Sequence, residues 1–224
     1  MRELAPSRSY DDTRARVAAY FDGTATRVWE RLTSEAPVSR IRQTVREGRD
    51  SMRALMLGQL PQDLRGARVL DAGCGTGAAA SELAARGADV TAIDISPRLV
   101  GIARARLPQG LPGRVDFCSG DMLAADLGRF DAVIAMDSLI YYTRPDLEAA
   151  LEGLGRRAGQ ILFTVAPRTP LLMAMWHAGR LFPRADRSPS MIPQDWRRMD
   201  VSGLSRIGRV SCGFYISECL QVAR

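Results

Sequence analysis

Asp71, Gly73, Gly75 and Gly77 stand two apart in the stretch Val69-Leu70-Asp71-Ala72-Gly73-Cys74-Gly75-Thr76-Gly77, and no other spacing in the chain is so suited to chemistry. An apolar run ends in a carboxylate, glycines alternate with small residues, and an alanine-rich segment, 78–86, follows. That order predicts a strand, a tight turn and the start of a helix. Glycines permit positive φ and let a ligand approach the backbone closely. The free N–H groups at a helix start attract an anion. Two ligands suit such a turn. Gly75-Thr76-Gly77-Ala78-Ala79-Ala80 matches the dinucleotide pattern G-x-G-x-x-G/A, which alone is weak. Asp71 argues against a pyrophosphate, which its charge repels, and for a ligand with an ammonium or a sulfonium. S-adenosyl-L-methionine carries both, plus a carboxylate for the helix N-terminus. Asp71, Gly73, Cys74, Gly75 and Gly77 are therefore expected to hold that methyl donor. The plain alternative is a glycine turn that only packs strand on helix.

Ligands of open α/β sheets bind beyond the carboxyl ends of the strands. Asp94 ends one such strand, 89–94, where its carboxylate can accept both ribose hydroxyls, with Ile95 beside it; a cap or loop carboxylate is the plain alternative. Asp121 and Met122 follow the strand at 115–118. There a carboxylate can take an adenine amino group and a thioether can pack on the ring, although Gly120-Asp121 also makes an ordinary turn. Met136, Asp137 and Ser138 close the strand at 130–137, beside the expected methyl group. Tyr141 and Tyr142 come next; they face either an acceptor or the core, and Asp137 equally suits a turn cap.

The elements that must position these groups alternate in type. Strands are expected at 67–71, 89–94, 115–118, 130–137 and 160–166, with helices at 77–86, from Pro97 on, and at 145–157. Such alternation predicts an α/β, doubly wound, Rossmann-like sheet, mostly parallel with an antiparallel last strand. Ahead of it, apolar positions at three- and four-residue intervals predict two helical pieces over 11–34, broken at Gly23. A further helix follows over 39–60, with Ile41, Val45, Met52, Leu55, Met56 and Leu60 inward. Residues 1–62 form a helical arm in this reading and 63–224 the sheet domain. An apolar, proline- and arginine-rich insertion over about 167–200 caps one end of the sheet, and a strand pair from 204 to 224 closes it.

Composition narrows the chemistry. Hydrophobic residues make up 46% of the 224, enough for a full core. No apolar run approaches the roughly 20 residues of a membrane helix, and a cytoplasmic protein is expected. The net charge is +6, and all 31 basic residues are arginine; without lysine, Schiff-base, pyridoxal phosphate and P-loop chemistry are excluded. The arginines are scattered rather than clustered, so no nucleic-acid partner is expected. Four cysteines without C-x-x-C spacing read as reduced thiols, and a single histidine, His177, excludes a histidine metal cluster; no protein-bound metal is expected.

Taken together, the D-x-G-x-G-x-G turn, Asp94 and Gly120-Asp121 resemble the class I S-adenosyl-L-methionine-dependent methyltransferases. The rest of the chain narrows the resemblance. Tyr20-Phe21 with Trp29, Pro167-Arg168-Thr169-Pro170-Leu171-Leu172, the run from Gly179 to Pro189, and Gly213-Phe214-Tyr215 are similar to the magnesium-protoporphyrin IX O-methyltransferases of bacteriochlorophyll synthesis. The resemblance implies methyl transfer to the ring-C propionate of magnesium-protoporphyrin IX, giving the monomethyl ester. A propionate has a pKa of about 4–5 and is already the anion, so no general base is required. It also implies that Tyr20 closes over the donor and that Tyr141, where the family often has histidine, orients the acceptor. Trp176 and Arg180 would serve the macrocycle from the insertion, and His177 either faces its magnesium or packs. Handover from the magnesium chelatase large subunit and peripheral contact with the photosynthetic membrane are further implications. Two alternatives stay open: a methyltransferase for another apolar carboxylate or quinol, and a donor-binding module without turnover.

Overall fold

A computed structural model describes residues 7–23, 25–34, 39–170, 172–174, 177 and 189–223. Three helices lead: α1 (Arg8–Asp22), α2 (Ala25–Leu32) and α3 (Arg40–Leu57). Ser7 and Ser39 cap α1 and α3, their hydroxyls accepting the N–H groups of Tyr10 and Arg42. The sheet domain then runs β1 (Arg68–Ala72), α4 (Ala78–Ala85), β2 (Asp89–Asp94), α5 (Pro97–Arg106), β3 (Arg114–Ser119), β4 (Phe130–Ala135), α6 (Arg144–Gly155), β5 (Ala158–Val165), β6 (Leu204–Cys212) and β7 (Tyr215–Ala223).

The seven strands lie in the order β3-β2-β1-β4-β5-β7-β6. β1 to β5 pair in parallel, and β7 enters antiparallel between β5 and β6, so the expected doubly wound sheet with its reversed last strand is present. Order reverses between β1 and β4, which opens a crevice at their carboxyl ends. One face of the sheet buries Leu70, Val133, Phe163 and Leu220 with Leu147, Leu151 and Leu154 of α6. The other buries Val69, Val90 and Leu162 with Met52 and Met56 of α3 and Leu83 of α4. Each such side chain, fully buried, contributes roughly 1.5–3 kcal/mol. A third cluster joins Val17 and Phe21 of α1 to Leu99, Ile140 and Tyr141, seating the arm on the domain.

Two expectations fail locally. β4 stops at Ala135, because Asp137 adopts φ +54, a left-handed conformation that no strand residue can hold. Ile41 is exposed rather than inward. The N-terminal part of α3 reaches the β6–β7 turn, where Thr44 abuts Gly213.

The insertion is anchored at both ends. Pro167 bridges Gln194, whose N–H donates to the Ala166 carbonyl at 2.8 Å. The Gln194 side chain donates to the Tyr142 carbonyl, and the N–H of Ile192 to that of Ile140, so the returning chain lies over the segment after β4.

Candidate active site

A cavity of about 350 Å³ opens where β1, β2 and β4 end, and the three leading helices close over it. The glycine turn forms its floor. Gly73, Gly75 and Gly77 all have positive φ, at +87, +54 and +82. Gly75 lines the cavity, and a Cβ there would meet nothing within 4 Å, so the space in front of its backbone is open. Gly77 does not line it; a Cβ there would come within 2.9 Å of Ala103. The sequence placed Gly77 on the ligand, and the structure uses it to bring α4 close to α5. Ala78 and Ala79, the first residues of α4, line the cavity, and so does Cys74.

Asp71 is almost wholly buried at the end of β1, on the cavity wall. One carboxylate oxygen, Oδ2, has no hydrogen-bond partner among the described residues. Burial, with Asp94 nearby, pushes its pKa up to about 7 despite a hydrogen bond from the Ala80 N–H. A buried carboxylate in this condition lacks a cation. Asp94 is different: its oxygens accept the N–H groups of Gly75 at 2.8 Å and Ser96 at 2.9 Å. It ties the glycine turn to the start of α5, and burial raises its pKa. The Ile95 N–H also bonds this carboxylate, and of its roughly four acceptor sites one remains for a ligand hydroxyl. Ile95, Met122 and Met136 line the same cavity.

Asp121 lines the cavity too, but α1 already holds its carboxylate. Tyr10 donates its hydroxyl to Oδ1 at 2.7 Å, Arg14 ion-pairs with Oδ2, and the Leu123 N–H donates to Oδ1. Tyr10 also stacks on Tyr142, ring centroids 4.7 Å apart. Tyr10, Arg14, Val17 and Phe21 form the stripe that α1 turns to the cavity. Tyr20 falls about 100° off that stripe. It packs edge-on against Phe21, and Phe21 is the aromatic of the pair that lines the wall. Tyr141 lies on the wall and also packs in the buried cluster with Phe21 and Ile140.

The far side of the cavity carries residues the sequence reading missed. Arg46, Arg49 and Arg53 of α3 line it together, at the helical spacing that was the available signal. The Arg49 guanidinium sits 4.8 Å from the Trp29 ring centroid and ion-pairs with Asp137. Asp137 receives the Tyr215 hydroxyl at 3.1 Å and that of Thr164 at 3.2 Å, while its N–H donates to Thr164 Oγ1 at 2.7 Å. These bonds fix its left-handed backbone at the edge of the cavity.

His177 is exposed and off the cavity, and among the described residues no His, Cys, Asp and Glu side chains group as a metal site. Trp176 and Arg180 lie outside the described residues, as do Leu171, Leu181, Phe182, Arg184 and Arg187.

Comparison with known proteins gives this arrangement a context. A methyltransferase domain model matches residues 69–158, and a model of the magnesium-protoporphyrin IX methyltransferase C-terminus matches residues 135–224. The magnesium-protoporphyrin O-methyltransferase of Rhodobacter capsulatus is 58% identical over 217 residues, covering 95% of this chain and 97% of that protein. This chain belongs to that family. The crystal structure of the family's Synechocystis PCC 6803 member with bound SAH aligns with a TM-score of 0.79 at 28% identity, over 94% of this chain and 99% of that one. A ubiquinone biosynthesis O-methyltransferase of Xanthomonas oryzae is 38% identical, but over only 54% of each chain. The resemblance to magnesium-protoporphyrin methyltransferases extends through the insertion and the final strand pair, where the general methyltransferase model has ended.

Proposed function

We propose that this chain transfers the methyl group of S-adenosyl-L-methionine to the ring-C propionate of magnesium-protoporphyrin IX, giving the monomethyl ester. The observation that carries the reading is the partnerless, buried Asp71 oxygen on the cavity wall of a chain in this family. The donor, when bound, supplies a methyl group on a cationic sulfur. Asp71 pairs with its ammonium, and the N–H groups at the start of α4 receive its carboxylate. The free acceptor site of Asp94 takes a ribose hydroxyl, with Gly73, Cys74, Gly75 and Ile95 around it. Asp121 and Met122 border the adenine, and Met136 the sulfur. Tyr141 orients the acceptor, and Tyr20 closes over the donor with the arm. The nucleophile arrives ionised, so the protein positions rather than deprotonates it; positioning alone can contribute several of the roughly 7–11 kcal/mol available from alignment.

In this reading residues 1–62 form a closing arm, 63–224 the catalytic domain and about 167–200 the acceptor cap, with Trp176, His177 and Arg180 serving the macrocycle. Delivery by the magnesium chelatase large subunit and peripheral contact with the photosynthetic membrane rest on family membership alone. Among the described residues no helix is long and apolar enough to cross a membrane.

The test is incubation of the purified chain with labelled donor and, in parallel, magnesium-protoporphyrin IX or a quinol. Label in the porphyrin as an alkali-labile ester supports the reading. Label in the quinol alone, or donor binding without transfer to either, contradicts it.

A further inference from the structure

The geometry points to Arg49 as the residue that grips the acceptor's reacting carboxylate, with Asp137 holding its place between turnovers. This assignment rests on the function proposed above. Arg49 lines the cavity and makes its ion pair there, with Asp137, while the Trp29 ring supports the guanidinium from another helix. A guanidinium offers five N–H donors in a fork that matches a carboxylate bidentately. Asp137 is itself a carboxylate, on the same wall, and it has alternatives: Tyr215 and Thr164 both donate to it. It can release Arg49 and stay hydrogen-bonded. The site thus contains a carboxylate already seated on an arginine, beside the end of β1 that carries Asp71.

Asp137 is held in the left-handed region, φ +54, which residues with a Cβ seldom adopt. A turn cap alone could use glycine there. The carboxylate presented from this position is the counter-ion of Arg49.

The exchange also accounts for product release. An acceptor carboxylate displaces Asp137 from Arg49 and attacks the methyl carbon. The O–C bond forms as the S–C bond breaks, the negative charge cancels the positive sulfur, and no proton moves. The ester is neutral and cannot hold the guanidinium, so Asp137 returns to it.

Binding of magnesium-protoporphyrin IX and of its dimethyl ester, measured by tryptophan fluorescence with S-adenosylhomocysteine present to prevent turnover, tests the assignment. Wild type is expected to favour the diacid by about 10- to 100-fold, the worth of a charge-assisted hydrogen bond. Arg49→Gln should erase that preference and leave diester affinity in place, with Arg49→Lys recovering part of it. Asp137→Asn, which removes the competitor, should tighten the diacid. Two partners of one ion pair then act in opposite directions, which a structural role does not produce. Equal loss of diacid and diester in Arg49→Gln, or diacid weakened alike by both variants, overturns the assignment. Failure of wild type to bind either macrocycle overturns the proposed function with it.

Discussion

Tyr215 lies against the bare backbone of Gly48: a Cβ on Gly48 would come within 2.6 Å of the tyrosine ring. The close approach lets the hydroxyl of a β7 residue reach Asp137 across the end of the sheet. Gly48→Ala must push the ring away. Overpacking costs about 1–3 kcal/mol, and the helix gains at most about 1 kcal/mol from alanine. Urea unfolding should show net destabilisation, and acceptor KM should rise while donor affinity holds. Unchanged stability and KM would mean that the contact does no positioning.

The glycine turn separates two effects. Gly75→Ala places a methyl group in open cavity, and Gly77→Ala drives one into Ala103. Both residues have positive φ and bear that strain alike, of order 1–2 kcal/mol. Gly75→Ala should therefore lose donor affinity at least tenfold, about 1.4 kcal/mol, beyond its stability loss. Gly77→Ala should lose more stability than Gly75→Ala and less affinity. Calorimetry with S-adenosylhomocysteine alongside thermal unfolding checks the pair; equal effects on both readouts would refute the division.

The arm is held by Arg14 and Tyr10 on Asp121, by Ser7 on Asp146 and by Ser96 on Asp22. These bonds are part-exposed, so removing one changes global stability by less than about 1 kcal/mol. Local opening is more sensitive. Arg14→Leu should speed proteolytic nicking around α1 and quicken donor dissociation, with little change in the unfolding midpoint. A nicking rate equal to wild type would argue that the pair holds nothing.

Much of this was legible in the sequence, for a local reason. Strand, turn and helix around Asp71 are set by residues within ten positions of one another, as is the strand end at Asp94. What escaped depends on distant chain. The left-handed Asp137 is held by Thr164 and Tyr215, and nothing near it announces a break in the strand. Tyr20 and Phe21 are adjacent aromatics, and only the docked register of α1 decides which faces the cavity. Asp121 read as a free acid because its partners, Tyr10 and Arg14, come from the opposite end of the chain. The arginine stripe of α3 was present as a spacing, but its cavity face follows from packing on β6 and β7.

Asp71 links stability to binding. Its folded pKa, about 7, is raised above the ordinary value of 3.8, so its stabilising contribution is full below about pH 3.8 and is lost as pH rises to 7. Ligand-free Asp71→Asn should therefore exceed wild type in stability, by a margin that grows across that window and then stays level. At about 1.36 kcal/mol per unit it is at most roughly 4 kcal/mol. Thermal unfolding across pH reads it, and a margin that shrinks with pH would reverse the sign.

The most direct measurement is the affinity of S-adenosylhomocysteine between about pH 6 and about pH 8, for wild type and Asp71→Asn, with NAD as competitor. An ammonium seated on Asp71 requires the ionised acid, so wild-type affinity should rise roughly tenfold over that range. Asp71→Asn should bind weakly at every pH, and NAD should not compete. A pH-independent wild-type affinity with an unimpaired Asp71→Asn, or displacement by NAD, would contradict the account.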